Sequence, residues 1–184
     1  MIHKFRLAAG VVLLASIAST GFAQSSTAPT APGNPQQATV KASIPSTADF
    51  LNKAAVGNKF EIESSRLALD KSKSEAVRSF ATMMIKDHGE AAVKMKAAVT
   101  EAKMSAPPED LDAKHKAMLD DLAKKEGPAF DKAYVAAQLK GHEETVALFR
   151  AYANGGDNAR IKQFAKDLLP TLQMHLEHVR KLKV

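Results

Sequence analysis

Six side chains in this sequence could bind metals or move protons while keeping apolar company. Glu61, His88 and His175 recur at helical spacing with aliphatic and aromatic residues, and His142 lies one step off such a row. His115 and His178 complete the set. A polar group buried without a partner costs about 1–3 kcal/mol, so polar residues on apolar stripes call for a reason. One reason is a metal site, because facing helices can bring imidazole and carboxylate ligands to a single point. The other is a hydrogen-bonded polar core, in which these groups pair with one another or with Tyr134 and only specify packing. Both readings stay open at this level.

The spacing restricts what a metal site could be. A standard di-iron centre needs four carboxylates, with a Glu-x-x-His pair on each of two helices. Three residues before His88, His142 and His175 stand Ile85, Leu139 and Leu172, so that motif is missing. A histidine-rich site suits zinc, copper or iron better than magnesium or calcium. Three Met/His pairs (Met84/His88, His115/Met118 and Met174/His178) share helical faces, and thioethers favour Cu(I). Methionine is also a common core filler. Met84, His115 and His178 are therefore secondary candidates beside Glu61, His88, His142 and His175. There is no cysteine and no Gly-x-Ser-x-Gly, and no glycine-rich phosphate loop occurs. The chain thus offers no constellation for nucleophilic catalysis.

These residues must be positioned by helices, since nothing alternates with period two. Ser46 and Asp49 start a first helix whose stripe runs Phe50, Ala54, Gly57, Glu61, Ser65 and Ala68. A capping box at Ser72 to Glu75 opens a second, with Phe80, Met84, His88 and Met95 inward, ending near Met104 before Pro107-Pro108. A short helix spans about Glu109 to Lys125, and Gly127-Pro128 stops and restarts the chain. The next long helix shows Phe130, Tyr134, Ala137, Gly141, Thr145, Leu148 and Tyr152 inward, with His142 on a flanking row. Asp157 caps a last helix through Ile161, Phe164, Leu168, Leu172, His175 and Val179, with Pro170 expected to kink it. Four long helices with a short one in the crossover between the second and third give an all-α four-helix bundle over residues 46–182. Counted from the expected helix ends at 1.5 Å per residue, Glu61, His88 and His142 fall at one level, with His175 about 10 Å away. The expected cluster is therefore Glu61, His88 and His142, which His175 joins if the bend at Pro170 shifts it.

The remaining sequence bears on location and partners. His3, Lys4 and Arg6 precede an apolar run from Leu7 to Ala18, and Gly21-Phe22-Ala23 follows. That is the pattern of an export signal over residues 1–23, cut before Gln24, with a run too short to span a membrane. Residues 24–45 are rich in Ala, Pro, Ser, Thr and Gln and form an expected disordered spacer. The expected location is periplasmic or secreted, with peripheral contact to the envelope, and no transmembrane segment follows the cut. Removing Lys4 and Arg6 with the signal leaves 26 − 2 = 24 basic against 20 acidic residues, a net charge of +4 with the signs mixed. No nucleic-acid motif accompanies this mild excess.

Several of these stretches also resemble one family. They are the run Phe50 to Ala68, Phe80-Ala81 with Asp87-His88, Asp112-x-x-His115, His142-Glu143 with Leu148-Phe149, and Leu169-Pro170-x-Leu172 with His175-Leu176. Together they are similar to the bacterial DUF4142 family, a domain of unknown function whose members are often called predicted outer-membrane proteins. The resemblance covers about Ser46 to Leu182. It implies a ferritin-like bundle and an exported bacterial protein, and it brings no established reaction.

Overall fold

The computed structural model describes residues 44–184. The expected signal segment and nearly all of the spacer lie outside the described residues. Five helices and no strand occur within them: α1 (Thr47–Lys71), α2 (Glu75–Glu101), α3 (Ala113–Ala123), α4 (Gly127–Gly155) and α5 (Ala159–Lys181). No described helix is long and apolar enough to cross a membrane.

Local chemistry sets the helix ends. Ser46 Oγ accepts from Asp49 N at 3.1 Å and opens α1, as its S-x-x-D start predicts. Ser74, not Ser72, caps α2, while Ser72 Oγ accepts from Ser74 N and shapes the turn. α2 stops at Glu101, before the proline pair can act. There Lys103 turns into the left-handed region at φ 53°, Met104 N donates to Val99 O, and Lys103 N donates to Thr100 O. That pair of bonds is a Schellman motif. α3 is shorter than its apolar pattern suggests, because Asp112 caps it by accepting from His115 N at 2.8 Å. Asn158 rather than Asp157 caps α5, receiving Arg160 N and Ile161 N. Asp157 is committed elsewhere, accepting from Thr47 Oγ1 and Tyr152 Oη. α5 continues through Pro170 to Lys181.

The four long helices form the ferritin-like bundle expected from the sequence, with α3 in the crossover. α1 packs on α2 and α4, α5 packs on α4 and α2, and α3 lies against α1 and α4. α1 and α4 are antiparallel, since Thr47 meets Tyr152 at one end and Ser65 meets Tyr134 towards the other. α2 and α5 are antiparallel too, with Phe80 against His178 and His88 against His175. One long connection therefore joins two tight hairpins.

Aromatic layers close the interior on both sides of its middle. Phe50 stacks on Tyr152 at 4.2 Å and meets the edges of Phe149 and Phe164. Phe130 stacks on Tyr134, which Phe80 meets edge-on, nearer the opposite end. The buried row of α4 differs from the expected one. Gln138, His142, Val146 and Phe149 face the core, whereas Ala137, Gly141, Thr145 and Leu148 are only half-buried. The small residues of that second row lie towards α1 and α3 and leave a groove there.

Candidate metal centre

His88 on α2, His142 on α4 and His175 on α5 meet in the middle of the bundle, each at most 4% exposed. Their ring centroids are 5.7 Å apart for His88 and His142, 5.4 Å for His88 and His175, and 5.5 Å for His142 and His175. His175 is thus level with the others rather than 10 Å away. The counted ends of α2, α4 and α5 fall within a residue of the expected ones. Yet α5 ends at Lys181, six residues past His175, while His88 lies 13 residues beyond Glu75, so α5 stops short of the level at which α2 begins.

Each histidine uses one ring nitrogen on a fixed partner and leaves the other bare. His88 Nδ1 is 2.8 Å from Asn58 Oδ1, and Asn58 Nδ2 donates to the His88 carbonyl at 3.0 Å. That second bond orients the amide, so Nδ1–H is the donor and Nε2 keeps its lone pair. His142 Nδ1–H donates to the Gln138 carbonyl at 2.9 Å, which can only accept, again freeing Nε2. His175 Nε2–H donates to Asp87 Oδ2 at 2.9 Å, freeing Nδ1. The three remaining nitrogens, His88 Nε2, His142 Nε2 and His175 Nδ1, are buried without a partner. One ring nitrogen from each histidine lies within 4.8 Å of the other two. Nitrogens around one zinc ion at its usual bond length sit about 3.4 Å apart, so the rings need only draw together by about an ångström.

The surroundings keep these rings neutral. Burial pushes His88 well below the usual histidine range, and the neighbouring His142 and His175 add to the effect. Burial lowers His142 to about 4, partly opposed by its bond to Gln138. His175 is lowered as well, by burial, with Asp87 pulling the other way. Neutral imidazole is the form that ligates a metal. A carboxylate, an amide oxygen and a peptide carbonyl on the far nitrogens are the partners that orient metal-bound histidines.

Glu61 stands beside this cluster, 4% exposed, with Oε1 3.8 Å from His142 Nδ1. Burial raises its carboxyl to about 8 against a smaller lowering by Gln138, so at neutral pH neither partner of this contact is charged. Oε2 has no partner. His115 and His178 lie apart from the three histidines. His115 lines the groove under α3, bonded to Asp112 at 2.7 Å and tilted against Phe60. His178 is exposed on α5 with its ring against Phe80. Met84 is fully buried on α2, one turn before His88. Sequence reasoning misses Asn58, Asp87 and Gln138 as partners. Asp87 had a signal, its place next to His88, but the contact it makes spans 88 positions.

The sequence profile of DUF4142, a domain of unknown function, matches residues 29–182, and the chain belongs to that family. No curated protein sequence matches it. Solved structures share its fold. A DUF305 fragment from Deinococcus radiodurans is 14% identical with a TM-score of 0.63, covering 72% of this chain and 91% of the other. A putative secreted DUF305 protein from Streptomyces coelicolor is 15% identical with a TM-score of 0.59, covering 72% and 88%. CopM in its Cu(II)-bound form is 16% identical with a TM-score of 0.60, covering 73% and 93%. At these identities the likeness carries the fold alone.

Proposed function

We propose that this protein is an exported bundle that binds one transition-metal ion through His88, His142 and His175, with Glu61 beside the site as a fourth candidate ligand. The observation that carries the reading is the matched set of bare nitrogens. Three buried imidazoles from three helices each have one nitrogen held by a partner and the other free. Three independently orphaned groups would each cost about 1–3 kcal/mol, and one shared ion satisfies all of them. Imidazole donors without thiolate suit zinc, copper(II) or iron. A fold relative solved with Cu(II) bound keeps copper among these. The signal-like pattern of residues 1–23 supports a role in the cell envelope, in metal handling or metal stress.

Metal analysis of untagged protein purified from a bacterial periplasm tests the reading. One tightly held ion per chain is expected, lost on His88→Ala or His142→Ala. A parent that binds nothing, with both variants merely melting lower, would leave the histidines as a packing device only.

A further inference from the structure

A groove of about 640 Å³ runs between α1, α3 and α4, walled by Val56, Phe60, Met118 and Leu148. Behind it lies a cavity of about 20 Å³, enough for one water-sized occupant, whose lining includes His88. The two spaces share three wall residues, Gly57, Glu61 and Thr145. Two of the groove's wall positions, Gly57 and Gly141, carry no side chain. A β-carbon on Gly57 would meet only Thr145 Oγ1, at 3.9 Å, and one on Gly141 would stand 2.7 Å from Glu61 Oε1.

Glu61 is therefore the ionisable group common to both spaces. One of its oxygens lies at the Gly141 notch and also within 3.8 Å of His142, and the other has no partner. Aromatic layers lie towards both bundle ends. Resting on the metal reading above, we propose that the groove is the route by which a cation reaches the three histidines, with the carboxyl of Glu61 as the oxygen ligand that passes it inward, its proton leaving to solvent as the cation binds. The groove's rim mixes Asp112 and Glu144 with Lys53, Lys114 and Lys140, and Lys114 lies 3.9 Å from Glu144, so the shared wall at Glu61 and the glycines, rather than the rim charge, carries the proposal. The competing route is through Asp87 on the α2–α5 side, whose side chain is 17% exposed.

Cobalt(II) uptake by the metal-free full chain, followed by stopped-flow absorbance, tests this. Gly57→Ala fits the available space, and Gly57→Leu fills the shared wall. Gly89→Leu makes the same change where a β-carbon meets nothing within 4 Å. Gly57→Leu is expected to slow both uptake and chelator-driven release about tenfold, with the parent's end point and spectrum, and Gly57→Ala a lesser amount. Gly89→Leu should match the parent. If Gly57→Leu fails to fold, the slowing by Gly57→Ala decides. Parent-like rates in the folded Gly57 variants, with the parent binding cobalt, overturn the route and favour Asp87. A parent that takes up no cobalt overturns the metal reading and the route together.

Discussion

Glu61 Oε1 lies 2.7 Å from where a β-carbon on Gly141 would sit, so the buried carboxyl occupies space that only a glycine leaves free. Glycine in a helix interior is otherwise about 1 kcal/mol worse than alanine. Gly141→Ala should therefore stabilise the bundle only when Glu61 is absent. In a Glu61→Ala background we expect a gain of about 1 kcal/mol from Gly141→Ala. In the parent the same change should be neutral or destabilising, because Glu61 must move within a packed interior. A double-mutant cycle by urea unfolding measures the difference. Additive effects would show that the two residues do not compete for space.

The metal-free protein should be most stable near pH 6.5, for two opposed reasons. His88, His142 and His175 have depressed folded values, so the unfolded chain binds more protons as pH falls below about 6.5, and stability drops towards pH 4. Glu61 is raised from 4.5 to about 8, so the folded chain holds the extra proton. Its contribution is full below 4.5 and is lost as pH rises through 8. Below pH 6.5 three histidines outweigh one carboxyl, and above it Glu61 acts without them. Glu61→Gln should flatten the decline between pH 6.5 and 8 and steepen the acid limb, which Glu61 opposes down to about pH 4.5. Thermal melts across pH check both limbs, and an unchanged alkaline limb would mean Glu61 is ionised at neutral pH.

Asp87 should act on metal affinity without being a ligand. It holds His175 through Nε2–H and so presents Nδ1 to the centre. Losing such a partner typically costs about 10–100-fold in affinity. Asp87→Asn can still accept that hydrogen bond, so it should lose less affinity than Asp87→Ala, with one ion per chain bound in both. Competition titration against a chromophoric chelator reads the series. Equal affinities in all three proteins would remove Asp87 from the site.

The helices were legible because 3.6-residue periodicity survives in every long segment and Ser46 announces the first. Rotation of α4 was not. Its small-residue row (Ala137, Gly141, Thr145) looks more apolar than the Gln138, His142 and Val146 row that faces the core. Cost of burial normally argues against placing Gln138 and His142 inside, yet Ser64 takes Gln138 Nε2 at 3.0 Å, and the Gln138 carbonyl takes His142. Such partners are tertiary facts, invisible to a stripe. The level of His175 was lost because helix ends do not share one level. The end of α5 lies within a residue of the expected one, but it stops short of the end where α2 begins, an offset set by packing and absent from any residue count. Polar residues on apolar stripes still named all three histidines that meet.

Truncation from the N-terminal side should show a sharp boundary between residues 43 and 45. Residues 24–43 contain almost no large apolar side chain, so composition predicts no stake in the core. Ile44 differs from them. Although 48% exposed, it covers the end of α4 so closely that a β-carbon on Gly155 would stand 2.0 Å from its Cδ1. Ile44, within the expected spacer of residues 24–45, thus lies against the bundle. Half-burial of an isoleucine is worth about 1 kcal/mol. For a domain of this size that corresponds to about 4 °C in Tm. Protein starting at Ile44 should melt with the chain starting at Gln24, while protein starting at Ser46 should melt about 4 °C lower. Calorimetry on the three lengths checks this. A loss already present on removing residues 24–43 would show that the spacer itself packs, against its composition.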